Sequence, residues 1–195
     1  MKGSSQMDLN LTELDKKNLL RLARHTIAKI CIDGEPPKLD LTQFPTTLQV
    51  HLASFVTLQK FGELRGCIGT LIPQKPLIED IAYNAFASAF RDQRFFPVTE
   101  NELADLRIEI SILTPMTAMK IETEEDLLAQ LRPGIDGLLI QGDHHKATFL
   151  PQVWEQLTEP DRFLLHLKHK AGLQPHEWPA DMECFSYQCL KFKED

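Results

Sequence analysis

The spacing of apolar residues changes several times along this chain, and this change restricts the fold more than any other feature. Residues 12–32 carry leucine, isoleucine and alanine at helical spacing, with Thr12 as a capping residue and Asp33-Gly34 as the stop. Residues 106–113 instead alternate apolar and polar side chains, as a β-strand with two different faces does. The chain therefore predicts a mixture of helices and strands.

The remaining segments favour hairpins over strand–helix–strand units. The predicted hairpin strands are residues 49–58 with 64–71 and residues 137–141 with 146–150. Further helices are predicted at residues 76–91, 123–131 and 160–170, and a last strand at 184–192. Because hairpins join antiparallel strands, we expect an α+β protein with mainly antiparallel sheets and helices packed on them.

Composition and charge narrow the functional classes. The 195 residues are 43% hydrophobic and 25% charged, which suits one large domain or two small ones. A net charge of −7 argues against nucleic acid as a partner, because phosphate contacts need clustered Lys and Arg. No apolar run reaches membrane-spanning length and no signal peptide is visible, so we expect a cytoplasmic protein. Residues 1–6 have the composition of a disordered tail or a cloning remnant, with Met7 as a possible natural start.

Metal and cofactor motifs are missing from the sequence. The four cysteines are Cys31, Cys67, Cys184 and Cys189. They form no C-x-x-C pair, and no further ligand at diagnostic spacing accompanies the neighbouring His166 and His169. The glycine-rich motifs of triphosphate and dinucleotide binding are also missing. We therefore predict no metal site and no cofactor.

The sharpest local feature is the run Leu64-Arg65-Gly66-Cys67-Ile68-Gly69. A cysteine between glycines can keep an exposed sulfur, and Arg65 would stabilise its thiolate form. Such a thiol can act as a nucleophile or bind a soft electrophile. The alternative is that Cys67 only fills a crowded strand as a small hydrophobic residue. Glycine inside a strand also indicates a bulge or a close backbone approach.

A second group of polar and aromatic residues, 91–97, follows the predicted helix 76–91. Its arginines, Arg91 and Arg94, have the geometry to hold a carboxylate or phosphate through two hydrogen bonds. The alternative is a structural ion pair between Asp92 and an arginine, beside two core aromatic rings. The preference of arginine for helix C-termini favours this alternative.

These residues and their order resemble the AMMECR family. The residues that carry the resemblance are 64–69, then Asp92, Arg94 and Phe95, then 109–113 and 147–151. The resemblance extends from about Leu14 to the end of the chain. It implies a two-lobed α+β fold for residues 7–195, with a larger lobe from both chain ends (7–64 and 117–195) and a smaller middle lobe (65–116). It also implies the microbial AmmeMemoRadiSam system protein A subgroup, which is associated with a Memo-like protein and a radical S-adenosylmethionine protein.

Two functional hypotheses follow from the motifs and the resemblance. In the first, the protein is a small enzyme or enzyme component with a cleft between its lobes and a small-molecule ligand. Cys67 would be its nucleophile or substrate-binding thiol, and Asp92 would orient an arginine or act as a base. The residues that would bind the substrate are Arg65, Gly66, Gly69 and Arg94. In the second, the protein is a non-catalytic partner of the Memo-like and radical proteins, and the cysteine motif is a structural bulge or a docking surface.

Overall fold

The computed structural model describes residues 11–195 of the chain. The expected tail at residues 1–6 and the expected start at Met7 lie outside these residues. The elements in chain order are α1 (Glu13–Asp33), β1 (Ser54–Lys60), β2 (Glu63–Gly69), α2 (Leu77–Phe90), β3 (Leu106–Leu113), β4 (Thr117–Ala118), α3 (Glu124–Gln130), β5 (Gly137–Gln141), β6 (Lys146–Phe149), α4 (Pro160–Lys170), β7 (Glu183–Tyr187) and β8 (Cys189–Lys193). Among them, no helix is both long and apolar enough to cross a membrane.

The elements form two compact units, each with its own sheet. The first unit takes the described residues up to Leu113 together with residues 190–195, and the second takes Thr114–Cys189. The strand orders are β2-β1-β3-β8 and β4-β7-β5-β6. The pairs β1–β2, β1–β3, β5–β6 and β5–β7 are all antiparallel. The α+β class and the mainly antiparallel sheets are therefore confirmed.

In the first unit, α1 and α2 cover one face of the sheet and enclose an apolar core. The helices contribute residues such as Leu19 and Ile81, and the strands contribute Val56 and Ile110, all fully buried. Helix α1 begins with the predicted capping box between Thr12 and Asp15 and ends at a left-handed glycine, as its sequence indicates. The opposite face of β1 is only half-buried, and this face carries the residues discussed below.

In the second unit, α3 and α4 pack on the sheet around stacked aromatic rings. Trp154 and Phe163 lie face to face with their ring centroids 3.8 Å apart. Lys168, in the last turn of α4, is buried although it carries a charge. Its side chain is 1% exposed, and its Nζ donates to Glu124 Oε2 at 2.7 Å and to the carbonyl of Pro175. The ammonium is buried because these acceptors come from other segments of the chain.

Two strand predictions need correction. Residues 49–53 do not belong to β1, which begins at Ser54, because residues 46–48 form a short 3₁₀-helix that directs the chain into the sheet. The predicted single strand 184–192 is two strands in different sheets. They separate at Gln188, whose N–H donates to Thr114 Oγ1 while its carbonyl accepts from the Thr114 N–H. The apolar pattern on both sides of Gln188 is continuous, so it does not show this break.

The predicted lobe boundaries also differ from the structure. Residues 190–195 share a unit with the described residues up to Leu113, which include residues 65–113. A boundary at residues 64 and 65 would cut through β2, which is hydrogen-bonded along its length to β1. The middle unit therefore begins only after β3, at Thr114.

Candidate functional site around Cys67

The cysteine motif lies on β2, which forms one edge of the first sheet. Cys67 faces Thr57 of β1, and the register of the two strands shifts between Leu58 and Gln59. Leu58 faces Gly66 whereas Gln59 faces Leu64, so Arg65 is the extra residue of a β-bulge. The bulge that the glycine-containing strand predicts is therefore present.

Both glycines of the motif allow a close approach that any side chain would block. A Cβ atom at Gly66 would lie 2.2 Å from the carbonyl oxygen of Ser88 in α2. A Cβ atom at Gly69 would lie 2.2 Å from the ring of Phe55. Contacts this short do not occur between non-bonded atoms, so Gly66 lets the strand touch the helix backbone and Gly69 makes room for an aromatic ring.

Two carboxylates, one near each end of α2, bind the helix to the sheet. Asp80, in the first turn of α2, accepts hydrogen bonds from Thr70 Oγ1 at 2.8 Å and from the N–H and hydroxyl of Ser54. Asp92, just after the helix, accepts the backbone N–H of Cys67 at 2.9 Å. Because Asp80 and Asp92 are both buried, water cannot easily replace these contacts.

Asp92 and Arg94 together occupy the free edge of β2 at Cys67. The Asp92 carboxylate accepts the Cys67 N–H, and Arg94 Nη2 donates to the Cys67 carbonyl at 3.2 Å. A neighbouring strand would offer the same acceptor and donor. The two side chains are also bound to each other, through Arg94 Nε at 2.9 Å and Nη2 at 2.6 Å. Hydrogen bonding by Arg94 holds the pKa of the Asp92 carboxyl well below its usual range, although burial opposes the shift.

The sulfur of Cys67 has its own hydrogen bond, from Thr57 Oγ1 at 3.3 Å. Thr57 pairs with Cys67 on one side and with Glu109 of β3 on the other, so the three side chains share one face of the sheet. Glu109 is buried and forms an ion pair with Lys191 of β8 at 3.1 Å. A thiol, a hydroxyl, a carboxylate and an ammonium thus follow each other across four strands.

Arg65 is bound to a different partner from the one expected. Its Nε and Nη2 donate to the two carboxylate oxygens of Glu102, each at 3.0 Å, and Lys60 lies 3.1 Å from the same carboxylate. The Arg65 hydrogen bonds lower the pKa of Glu102 to about 2, against the effect of burial. The guanidinium charge is therefore compensated by Glu102, and its hydrogen bonds fix the bulge to the turn that contains Glu102.

Phe95 lies between the two arginines of the site. The guanidinium carbons of Arg65 and Arg94 are 5.9 Å and 5.5 Å from the centroid of its ring, within the range of cation–π attraction. The next residue, Phe96, is 89% exposed. The ion-pair alternative for Asp92 is thus present in the structure, but Phe96 is not a core residue. Arg91 lies over Phe86 on α2, at 5.6 Å, and is not part of the Asp92 cluster.

The structure brings together most of the residues that the sequence singles out. Cys67, Asp92 and Arg94 are in direct contact, and Gly66 and Gly69 shape the strand that carries the cysteine. Arg65 belongs to the neighbouring cluster with Glu102. Sequence reasoning missed Thr57, because its role depends on which residue of β1 faces Cys67. A correct β1–β2 register would have identified it.

The comparisons with known proteins agree with the resemblance noted above. A family model described as AMMECR1 matches residues 20–192. A protein of Methanothermobacter thermautotrophicus is 33% identical over 187 residues, covering 95% of this chain and 97% of its own. A protein of Methanocaldococcus jannaschii is 35% identical over 161 residues and covers 80% of each chain. The crystal structure of an uncharacterized protein from Pyrococcus horikoshii has a TM-score of 0.82 and 32% identity, over 91% of this chain and 90% of its own.

Proposed function

The chain belongs to the AMMECR1 family, and on this premise we propose that it is a small enzyme or enzyme component in which Cys67 attacks or binds an anionic, electrophilic small molecule. The observation that carries the proposal is the set of contacts around Cys67. Its N–H, its carbonyl and its sulfur are each hydrogen-bonded by a different side chain, from Asp92, Arg94 and Thr57. A cysteine that only fills space needs no such contacts.

Access to the thiol supports the same proposal. Cys67 is half-buried, so its sulfur is held in place without being enclosed in the core. By contrast, Cys184 of the second unit is buried, and burial raises the pKa of its thiol to about 12. All the side chains that carry the proposal belong to the first unit.

Arg94 is the residue we assign to the anionic group of the substrate. Its side chain is 56% exposed even though Nε and Nη2 are bound to Asp92. Asp92 then acts by orienting Arg94 and the backbone of Cys67. We do not assign it the role of a base, because a carboxyl whose pKa is lowered in this way is a weak proton acceptor. Arg65, Gly66 and Gly69 contribute by giving the strand its shape, not by contacting the substrate.

The test is the alkylation rate of each cysteine against pH, followed by mass spectrometry on the native protein. We expect Cys67 to react fastest, with Cys184 silent until the protein unfolds. A Cys67→Ser variant provides the control for peptide assignment. In cells that depend on the protein, the same variant should lose function. Full function of Cys67→Ser, or a Cys67 that reacts only in denaturant, would remove the basis for thiol chemistry.

A second candidate is a non-catalytic partner protein, and two exposed rings favour it. Phe96, beside the Cys67 site, is 89% exposed, and Phe61, in the β1–β2 turn, is 79% exposed at a φ of 52°. A left-handed φ is uncommon for a bulky residue, and here it presents the ring of Phe61 to solvent. The partners in question are the Memo-like and radical S-adenosylmethionine proteins.

Co-purification from the native host separates the two candidates. If the protein is a docking partner, Phe96→Ser should abolish capture of a Memo-like or radical protein, while Cys67→Ser should leave it intact. The enzyme proposal predicts the opposite pattern, with function lost in Cys67→Ser and kept in Phe96→Ser. Phe61→Ser serves as a matched variant for the second exposed ring.

A further inference from the structure

Thr57 has no motif of its own in the sequence, yet its hydroxyl contacts the sulfur of Cys67. The donor Oγ1 lies 3.3 Å from Sγ, an ordinary distance for a hydrogen bond to sulfur. The two residues face each other in the β1–β2 pairing, so the contact follows from the strand register. Within residues 11–195, Thr57 is the residue whose side chain hydrogen-bonds to this sulfur.

The other contacts of Cys67 act on different atoms. Asp92 accepts the backbone N–H and Arg94 donates to the backbone carbonyl. These hydrogen bonds fix the position of the strand, but neither of them involves the sulfur. The hydrogen bond from the Thr57 hydroxyl is the contact that restricts the direction of the sulfur itself.

We propose that Thr57 is a positioning residue that orients the Cys67 sulfur for reaction. The inference rests on the proposed function, in which Cys67 is a reactive thiol. It assigns the contact with the sulfur to a neutral hydroxyl on β1, whereas the sequence suggested the charge of Arg65. The hydrogen bonds of Arg65 to Glu102 explain why that guanidinium does not serve the purpose.

The surroundings of Thr57 suit this role. β1 lies between β2 and β3, so its backbone is held on both sides, and a β-branched side chain has few rotamers in a strand. The competing acceptor on the same face is Glu109, which faces Thr57 from β3. Its carboxylate is paired with Lys191 at 3.1 Å, so the hydroxyl proton remains directed to the sulfur.

The test compares Thr57→Val, which removes the hydroxyl and keeps the shape, with Thr57→Ser, which keeps the hydroxyl. The alkylation rate of Cys67 with iodoacetamide is measured against pH for the wild-type protein and both variants. We expect Thr57→Val to lower the alkylation rate of Cys67 about fivefold at each pH, the size expected for losing one hydrogen bond of about 1 kcal/mol. Thr57→Ser should stay close to the wild-type profile.

The outcomes separate this inference from the proposed function. If wild-type Cys67 reacts at a rate that Thr57→Val leaves unchanged, the role of Thr57 is refuted while the thiol proposal stands. If wild-type Cys67 is unreactive, both fail. Urea unfolding of each variant beside the wild-type protein shows whether the first unit, which contains Thr57, is folded. Should Thr57→Val unfold, Thr57→Ala replaces it, since alanine also lacks the hydroxyl and the same loss of rate is expected.

Discussion

The two units each contain an ion pair of nearly the same geometry, and comparing them shows what is special about the region around Cys67. In the first unit Arg94 binds Asp92, and in the second Arg132 binds Asp136. Both aspartates are buried, and both arginines are about half exposed, at 56% and 54%. Each arginine uses Nε at 2.9 Å and Nη2 at 2.6 Å, together with its own backbone N–H.

The difference between the pairs lies in what else they bind. The Asp136 pair closes a local turn, and the backbone carbonyl of Asp136 accepts Nε1 of the core residue Trp154 at 2.7 Å. The Asp92 pair reaches across 25 residues to bind both backbone groups of Cys67 at a sheet edge. The same local chemistry therefore stabilises a loop in one unit and holds a half-buried thiol in the other.

The largest expected effects come from adding a methyl group to one glycine in each unit whose backbone lies very close to another residue. Gly66→Ala would place Cβ 2.2 Å from a helix carbonyl, which cannot move alone, so we expect a loss of about 3 kcal/mol in the free energy of unfolding. Gly137→Ala would meet the ring of Tyr187 at 2.5 Å. A ring can shift more easily than a helix, so we expect a loss of about 1–2 kcal/mol.

Denaturant unfolding measures both losses, and cysteine alkylation shows whether they reach the site. Gly66→Ala should change the alkylation rate of Cys67, and Gly137→Ala should leave it unchanged. Equal effects of the two substitutions on stability would show that the contact between β2 and α2 is looser than its geometry indicates.

A smaller and more specific effect is expected from breaking the two ion pairs. Asp92→Ala and Asp136→Ala should each lower the free energy of unfolding by about 2–3 kcal/mol, because each removes a buried carboxylate that accepts at least three hydrogen bonds. Only Asp92→Ala should also change the alkylation rate of Cys67, since it releases the N–H of that residue. If Asp136→Ala alters Cys67 to the same degree, the contrast between the two pairs is lost.

The smallest effect concerns the pH dependence of the Arg65–Glu102 pair. Arg65 lowers the pKa of Glu102 from 4.5 to about 2, so the folded state holds this proton less tightly than the unfolded state. The stabilisation is therefore complete above about pH 4.5 and is lost as the pH falls towards 2. Glu102→Gln should cost about 1–2 kcal/mol at pH 6 and almost nothing near pH 2. Urea unfolding of both proteins across this range measures the difference, and a constant difference at all pH values would contradict the assignment.

The sequence predictions were accurate where a structure depends on nearby residues and failed where it depends on residues far apart in the chain. Helices α2 and α4 and the β5–β6 hairpin were predicted, because each depends on neighbouring residues and a regular apolar period. The break at Gln188 was missed, since Thr114 lies 74 residues away. The burial of the Lys168 ammonium also depends on a distant partner, because Glu124 lies 44 residues away.

The candidate site shows the same division between local and long-range information. The sequence by itself determined that Cys67 lies in a glycine-interrupted strand and that Asp92 and Arg94 follow a helix, because turn, strand and helix signals act over a few residues. Only the tertiary structure decided that Asp92 and Arg94 bind Cys67, that Arg65 binds Glu102 and that Thr57 contacts the sulfur. These contacts join residues 10 to 37 positions apart, and strand register and the packing of α2 against β2 bring them together.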